Sequence, residues 1–221
     1  MVKKIIAIIL LIIGVLLILS PFLKNEIVKY TSQHNKITAF TAKDIEKNNQ
    51  KKAEFDYDSV QLPSMRNVAE GAMKFDKKAV VGAIAIPSVD IDLLILKGTN
   101  TANLLAGATT MKQEQKMGAG NYALAGHHMR RESILFGPLM QVKAGTKVYL
   151  SDQKYIYTYT IDSTEIIPDT NVEVLDETKE ATITLITCDK PTETDKRFVA
   201  TGKLTKKEAI ADSSASKYFQ Q

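Results

Sequence analysis

The single cysteine of the chain, Cys188, ends an alternating run of residues, Ala181-Thr-Ile-Thr-Leu-Ile-Thr-Cys188. An arginine, Arg197, follows nine residues later and begins a second apolar run, Arg197-Phe-Val-Ala-Thr201. If the two runs pair as an antiparallel hairpin, Cys188 and Arg197 face each other on neighbouring strands. A guanidinium beside a thiol favours the thiolate, which is the nucleophilic form of cysteine. The spacing therefore predicts a reactive cysteine at this point of the chain.

Two consecutive histidines supply a possible partner for this cysteine. A lone free cysteine is also a common small core residue, so a packing role for Cys188 remains open on composition alone. His127 and His128 follow Ala125-Gly126 at the end of a predicted strand, and consecutive side chains in an extended chain point to opposite faces. We therefore expect at most one of them to share a site with Cys188. A thiol, an imidazole and a guanidinium are the parts of cysteine nucleophilic catalysis.

The same residues argue against a structural zinc site. Such a site requires about four cysteine or histidine ligands with local spacing. The chain offers one cysteine, the two adjacent histidines whose side chains diverge, and His34 in a separate polar segment. We predict no metal site.

The elements that must position these residues are predominantly strands. From Val80 onward, short apolar runs alternate with turn residues, which predicts about eight short strands. Residues 147–150 and 155–161 are predicted to form a hairpin around Ser151-Asp-Gln-Lys154. A short helix near residues 67–74 and a helix or turn at 104–117 are the other elements expected. This pattern favours an all-β barrel or sandwich.

The N-terminus carries an apolar run over residues 5–19, which residues 20–23 extend and Lys24 ends. Roughly nineteen residues suffice to cross a hydrocarbon core of about 30 Å. The end of the run lacks the small-x-small pattern of a cleaved signal peptide, so we predict a retained signal-anchor. Lys3 and Lys4 favour a cytoplasmic N-terminus, which places the rest of the chain on the extracellular face of the cell membrane as a single-pass protein.

The charge pattern excludes a nucleic-acid surface. The net charge of +4 comes from the N-terminal part, because residues 24–52 hold seven lysines against three acidic residues. Residues 53–221 hold twenty basic and twenty-two acidic residues. A domain without excess positive charge is not typical of nucleic-acid binding. We predict four segments: a membrane segment at 1–23, an extracellular linker with a possible short helix at 24–70, a domain at 71–205 and a polar tail at 206–221.

Three motifs together carry a specific resemblance. Thr184-Leu-Ile-Thr-Cys188, with Ala125-Gly-His127 upstream and Arg197-Phe-Val-Ala-Thr201 downstream, resembles the class A sortases over roughly residues 75–205. The resemblance implies an all-β dominated fold, namely an eight-stranded sortase-type β-barrel with a few short helices, preceded by the transmembrane helix. It also implies a membrane-anchored cysteine transpeptidase of a Gram-positive bacterium.

The resemblance further implies the substrates. Class A sortases cleave Leu-Pro-x-Thr-Gly (LPXTG) sorting signals of surface proteins between Thr and Gly. They then transfer the surface protein to an amine of a peptidoglycan precursor of the lipid II type, which anchors it to the cell wall. On this resemblance the partners are LPXTG-bearing proteins, the precursor and the membrane, with no nucleic acid.

The resemblance assigns roles to the residues that match its motifs. Cys188 corresponds to the nucleophile that forms the acyl-thioester, and His127 to the acid and base that protonates the leaving amine. Arg197 corresponds to the residue that positions the substrate and stabilises the oxyanion. The family's active form is a minority thiolate–imidazolium pair, which agrees with ordinary thiol and imidazole pKa values that leave the neutral pair dominant at pH 7.

The resemblance also implies a substrate-binding groove. Its residues would be Ala125, Ile186 and Thr187, together with a loop at 168–175 that contributes Val172, Val174 and Leu175. An apolar groove suits the Leu-Pro part of the signal.

Calcium activation, which some members of the family show, is not expected for this chain. Residues 98–105 hold no acidic residue and Glu114 stands alone before His127, so a cage of several carboxylates is incomplete. Asp176 and Glu177 could supply one side of such a site. We predict no cofactor and no bound metal.

Two alternative functions remain open from the sequence. A class C sortase would polymerise pilins, but no C-terminal span and no obvious lid are visible in the chain. A non-catalytic, membrane-tethered binding domain would use Cys188 only as a packed residue. The run Leu62-Pro63-Ser64-Met65 begins like a sorting signal but lacks Thr and Gly where they are needed, and we interpret it as a coincidence.

Overall fold

The N-terminal apolar run forms most of one long helix. The structure, a computed structural model, describes residues 2–57 and 60–220. Helix α1 (Val2–His34) contains the apolar run, and the large apolar side chains from Ile5 to Leu23 are exposed. Among the described residues, α1 is the one helix whose length and composition suit a membrane span.

Helix α1 does not end where the apolar run ends. It continues to His34, and its last turns pack on the domain, where Val28 is only 1% exposed. Val28 shares a core cluster with Val68 and with Met129. The segment predicted as a linker therefore begins as a continuation of the anchor helix that contacts the domain directly.

Two further helices follow before the first strand. Helices α2 (Ala42–Asn49) and α3 (Met65–Met73) both begin with a capping box, in which Thr41 and Ser64 are the N-cap residues. Ile45 of α2 and Val68 of α3 are buried. The sequence indicated only one possible helix in this region, whereas the structure shows ordered helical elements packed against the domain.

Eight strands close into a barrel, as predicted. Their order around the barrel is β1-β2-β3-β4-β7-β8-β6-β5, and β5 pairs with β1 to close it. The strands are β1 (Val80–Ile86), β2 (Ile91–Leu96), β3 (Ala108–Thr110), β4 (Asn121–Ala125), β5 (Lys147–Ser151), β6 (Tyr155–Pro168), β7 (Thr182–Cys188) and β8 (Lys196–Ala209). A short helix, α4 (Thr101–Ala106), overlaps only the start of the segment 104–117 that was expected to be a helix or turn, and strand β3 lies within that segment.

The predicted hairpin joins β5 to β6. Its turn lies at residues 152–154, and the Asp152 carboxylate accepts hydrogen bonds from the backbone N–H groups of Lys154 and Tyr155 at 2.9 and 2.6 Å. Strand β6 is longer than expected and ends only at Pro168, within the segment predicted to be a loop.

The strand pairing determines which residues meet at one edge of the barrel. Strands β4 and β7 are parallel, so their C-terminal ends lie side by side. Strand β8 is antiparallel to β7 and therefore begins at that same edge. The segments that follow β4 and β7 and the start of β8 meet there.

The two faces of β7 pack against different surroundings. Ile183 and Leu185 point into the main core of the barrel, where both are fully buried. Ile186 points to the other side and packs with Ile167 and Val199 in a smaller cluster. This alternation is the one expected from the sequence and places Cys188 on the same outer face as Ile186.

The C-terminal residues are more structured than a polar tail. Strand β8 continues to Ala209, and a short 3₁₀ helix spans Ser214–Phe219. Phe219 is 3% exposed and packs in a core cluster with Ala83 and Leu94. The last residues therefore cover one side of the barrel.

Candidate active site

Cys188 and Arg197 are direct partners in the strand register. The pair Cys188–Arg197 is the last of seven residue pairs between β7 and β8, as the spacing of the two runs predicts. Ala125 ends β4 and pairs with Ile186, two residues before the cysteine. His127 follows Ala125 by two residues, so the parallel strands bring the histidine and the cysteine to one end of the barrel.

These residues open into one groove with a volume of about 550 Å³. Its floor is the outer face of β7, and the segment after β6 forms one wall. All the site residues predicted from the sequence line it, namely Ala125, His127, Val172, Val174, Leu175, Ile186, Thr187, Cys188 and Arg197. The structure therefore brings the whole predicted set together, while the role of each residue stays a prediction.

His127 is held by the chain on both sides of it. A Cβ atom on the preceding Gly126 would lie 2.5 Å from the ring of Phe136, so only glycine allows this close approach. The carbonyl of Gly126 accepts a hydrogen bond from the Thr187 hydroxyl at 2.8 Å. The loop that carries His127 is therefore tied directly to the strand that carries Cys188.

The imidazole of His127 is buried and unprotonated at neutral pH. Its exposed fraction is 6%, and burial lowers its pKa to about 4 because the charged form loses its hydration. Among the described residues, its Nε2 atom has no hydrogen-bond partner. A buried ring nitrogen that lines a groove and lacks a partner can exchange a proton with a bound substrate.

The thiol of Cys188 is neutral rather than activated. Burial raises the pKa of the Cys188 thiol above its ordinary value, and the Arg197 charge lowers that pKa only in part. The carboxylates of Asp189 and Asp169 raise it further. Desolvation and the two acids therefore outweigh the one cation that favours the thiolate. The resting pair is a neutral thiol and a neutral imidazole.

The guanidinium of Arg197 donates to three protein acceptors. Its Nη1 atom donates to the carbonyls of Thr194 and Lys196 at 3.1 and 2.9 Å. Its Nη2 atom donates to the Asp169 carboxylate at 3.2 Å. A guanidinium carries five N–H groups, so two remain available for a substrate carbonyl.

His128 contacts the main chain of Cys188 rather than the groove. Its Nδ1 atom lies 2.8 Å from the Cys188 carbonyl oxygen. Since a carbonyl only accepts, Nδ1 must donate, which fixes the tautomer of a neutral ring. Of the two histidines, His127 lines the groove and His128 does not.

A lysine and an asparagine hold the wall of the groove that contains Val174 and Leu175. The ammonium of Lys112 donates to the Leu175 carbonyl at 2.9 Å and to the Glu177 carboxylate at 2.6 Å. The Asn121 side chain donates to the carbonyls of Val174 and Asp176 at 2.9 and 3.0 Å. These contacts order a wall that has no regular structure apart from one short 3₁₀ turn.

The carboxylate of Glu177 is ionised and paired with the Lys112 ammonium. The hydrogen bond from Lys112 lowers the pKa of Glu177, and the backbone N–H of Asn121 contributes in the same direction. Within the part of the chain that the structure describes, no group of three or more His, Cys, Asp or Glu side chains could hold a metal ion. Asp176 and Glu177 were considered from the sequence as one side of a calcium site. In the structure, the Lys112 ammonium contacts the Glu177 carboxylate at this place.

Several residues of the groove were not predicted from the sequence. Asp169 and Asn171 line it, and Asn171 has a buried side-chain oxygen without a partner among the described residues. Val60 and Leu62 also line the groove, although they lie before the first strand. The only sequence signal for this segment was the run Leu62-Pro63, and nothing in the pattern placed it beside Cys188.

Comparison with known proteins agrees with this geometry. A family model described as a Sortase domain matches residues 84–205. A sortase A of Listeria monocytogenes is 63% identical over 219 residues, 99% of each chain. A sortase A of Streptococcus agalactiae is 37% identical and covers 100% of this chain and 92% of its own. The crystal structure of Listeria monocytogenes sortase A superposes with a TM-score of 0.63 and covers 65% of this chain and 99% of that one.

The structure is a closed eight-stranded barrel with a cysteine, a histidine and an arginine at one edge. Together with the family model and the relatives, this shows that the chain belongs to the sortase family. Within that family it is a class A sortase, a membrane-associated transpeptidase whose substrates are surface proteins with sorting signals. The comparisons favour class A over the class C alternative, and they support a transpeptidase rather than a non-catalytic binding domain.

Proposed function

We propose that this sortase cleaves LPXTG-type sorting signals between Thr and Gly and transfers the surface protein to an amine of a peptidoglycan precursor. The observation that carries the proposal is that Cys188, His127 and Arg197 open into one groove. That groove is long enough to hold a peptide rather than a single side chain, with a volume of about 550 Å³.

The first half of the reaction forms an acyl-enzyme. The Cys188 sulfur attacks the threonine carbonyl carbon, and its proton passes to His127. The two unengaged N–H groups of Arg197 stabilise the negative charge that develops on the carbonyl oxygen. The Thr–Gly amide bond breaks, the imidazolium gives its proton to the departing glycine amine, and the threonine remains as a thioester on Cys188.

The second half reverses these roles with a new amine. The amine of the precursor attacks the thioester carbonyl, and His127 accepts the proton that the amine loses. The carbon–sulfur bond breaks and the thiol is restored, so one amide has been exchanged for another. Because both resting groups are neutral, only a minority of molecules is charged before attack, and a bound peptide that excludes water strengthens their interaction.

The apolar part of the groove suits the start of the signal. Ile186 forms the floor, and Val174 and Leu175 pack against the same small cluster. Val172 is 64% exposed on the groove wall, where a bound leucine or proline would cover it. We assign the Leu-Pro end of the signal to this part, with Ala125 and Thr187 lining the path to Cys188.

The test uses the full chain in detergent with a Leu-Pro-x-Thr-Gly peptide. The parent enzyme should accumulate a thioester that mass spectrometry detects and hydroxylamine releases, and should yield the transpeptidation product with an added amine. Cys188→Ala should give neither. Thr164→Ala, which changes an exposed residue of β6 that does not line the groove, serves as the control. Normal turnover by Cys188→Ala would refute the proposal.

We also propose that the N-terminus is cytoplasmic and the barrel extracellular. The support is the lysine pair Lys3 and Lys4 before the span and the exposed apolar surface of α1. The lone cysteine makes the test direct, because a membrane-impermeant maleimide should label Cys188 in intact cells. The Cys188→Ala protein is the blank. If the maleimide labels Cys188 only after the cells are lysed, the barrel lies on the cytoplasmic side of the membrane and the proposed orientation is wrong.

We further propose that activity needs no calcium. The Lys112 ammonium already supplies a positive charge to the Leu175 carbonyl and the Glu177 carboxylate, and so orders the groove wall without a metal. A divalent cation at the same place would face repulsion from that ammonium.

A further inference from the structure

The anchor helix and the catalytic barrel are joined by side-chain contacts as well as by the chain. Glu26 of α1 forms an ion pair with Arg131, which lies four residues after His127. Val28 of α1 and Met129 share one buried cluster. The loop that carries the catalytic histidine therefore packs against the first turns of α1 beyond the apolar run.

These contacts fix the distance of that loop from the bilayer. Lys24 ends the apolar run, and Glu26 lies two residues further along the same helix. At a rise of about 1.5 Å per residue, Glu26 is only about 3 Å further along the helix axis than Lys24. Arg131, which contacts Glu26, must lie at about the depth of the lipid headgroups.

Among the described residues, two cations at this depth form no ion pair. Arg130 is exposed and lies within electrostatic range of the Lys24 ammonium. Among the described residues, Arg130 has no ion-pair partner. Lys24 uses one N–H group on the Pro63 carbonyl, at 2.9 Å, and keeps two. The acid next to this pair along α1, Glu26, already pairs with Arg131, and the exposed Glu132 lies two residues after Arg130 without forming an ion pair among the described residues.

The same cations are close to the reacting cysteine. His128, two residues before Arg130, donates to the Cys188 carbonyl at 2.8 Å. Two residues of extended chain span at most about 7 Å between Cα atoms. A phosphate bound by Arg130 would therefore lie on the membrane side of the active site and next to it.

We propose that Lys24 and Arg130 form a phosphate-binding surface that holds the phosphate headgroup of a lipid-borne amine acceptor and so presents its amine to the thioester on Cys188. This inference rests on the proposed transpeptidation. Guanidinium and ammonium groups are the side chains that bind phosphate, and each is more effective at a membrane surface than in bulk water.

The occupant is the acceptor rather than bulk anionic lipid because of where the surface lies. A surface that attracts anionic lipid in general could lie anywhere around α1 where it leaves the bilayer. The surface formed by Lys24 and Arg130 instead adjoins the loop of His127, the residue proposed to accept the proton of the amine. An acceptor whose amine is carried on a peptide arm can reach from the headgroup to the groove.

The test uses the full chain in nanodiscs of uncharged net composition, with a soluble LPXTG peptide as the donor. Three acceptors carry the same amine-bearing peptide: free in solution, on an uncharged diacylglycerol anchor, and on a polyprenyl diphosphate. Arg130→Gln is compared with the parent enzyme and with Arg130→Lys. Lys147→Gln, which removes an exposed cation on β5 across the barrel from β4, is the matched control.

We expect Arg130→Gln to raise the KM for the diphosphate acceptor roughly fivefold, the scale of one cation at a lipid headgroup, and to leave the other two acceptors unchanged. Arg130→Lys should recover most of the loss, and Lys24→Gln in the Arg130→Gln background should add to it. An equal KM for the diphosphate acceptor in all variants would overturn the inference.

Two further outcomes are also decisive. An equal effect on both lipid-anchored acceptors that appears only when anionic phospholipid is added would show a general lipid surface, and would also overturn the inference. If the parent enzyme used none of the three amines, the proposed transpeptidation itself would fail, which is a different result from a variant that behaves like the parent. Unchanged use of the soluble amine by Arg130→Gln shows that the variant is folded.

Discussion

The guanidinium of Arg197 donates to the carboxylate of Asp169 at 3.2 Å, and both residues line the groove into which Cys188 opens. The two residues lie at the same end of a pair of antiparallel strands, because Arg197 is the second residue of β8 and Asp169 directly follows β6. The cation that should assist catalysis is therefore partly neutralised until a peptide arrives. Both charges act on the Cys188 thiol, in opposite directions.

The first prediction concerns the thiol pKa. Arg197 lowers the pKa of Cys188 and Asp169 raises it. Arg197→Met should therefore shift that pKa upward, and Asp169→Asn should shift it downward. The pH dependence of alkylation by iodoacetamide measures the pKa directly, because the thiolate is the form that reacts. Shifts of the same sign in both variants would contradict the electrostatic account.

The second prediction concerns turnover. Arg197→Ala should lower kcat/KM for a sorting peptide by at least about 10²-fold, the scale of losing one oxyanion donor. Arg197→Lys keeps the charge but has no planar pair of N–H donors, and should recover only part of the loss. Steady-state kinetics of both variants decide this. Full activity in Arg197→Ala would remove the arginine from the mechanism.

The third prediction concerns stability at acid pH. The folded pKa of His127 is about 4, below its unfolded value of about 6.5. Between these values the unfolded chain binds more protons than the folded one, so stability falls as the pH falls. On going from pH 7 to pH 4, the free energy of unfolding of His127→Gln should therefore fall by roughly 3 kcal/mol less than that of the parent.

Denaturant unfolding of the full chain in detergent at several pH values measures the difference. His34→Gln, at an exposed histidine on the end of α1, is the control and should follow the parent. Parallel curves for His127→Gln and the parent would mean that the imidazole is not buried in its neutral form.

The fourth prediction concerns His128 as a positioning residue. His128→Leu removes the donor to the Cys188 carbonyl and should lower kcat by roughly 3- to 10-fold, the scale of one hydrogen bond. His128→Asn places an amide N–H near the position of Nδ1 and should restore most of the rate. If the leucine and asparagine variants lose the same activity, the contact is packing rather than positioning.

The fifth prediction concerns Lys112 and the groove wall. Lys112→Met should raise the KM for the sorting peptide more than it changes kcat, because the wall that holds Leu175 loses its ammonium contact. The parent enzyme should respond to neither calcium nor a chelator. Lys206→Met, which removes an exposed cation that pairs with Glu208 on β8, is the control. A calcium requirement in the parent would contradict the proposal.

The sequence by itself indicated the barrel, through the resemblance to the sortases, and the long apolar helix, and it predicted which residues form the site. Period-two alternation over residues 181–188 is a local property, and it specified which face of β7 Cys188 occupies. The nine-residue spacing to Arg197 then specified the strand register. The length and purity of the apolar run indicated a membrane helix, because the capacity to span a bilayer depends on the length and composition of a single segment.

Only the tertiary structure decided the state of the site and its surroundings. The pKa values of Cys188 and His127 depend on burial, which sums contributions from many elements and is invisible in a local pattern. The contact of Asp169 with Arg197, and that of α1 with the loop after His127, join residues that are 28 and 105 positions apart. No periodicity encodes such contacts, because they arise only when the closed barrel and the anchor helix pack together.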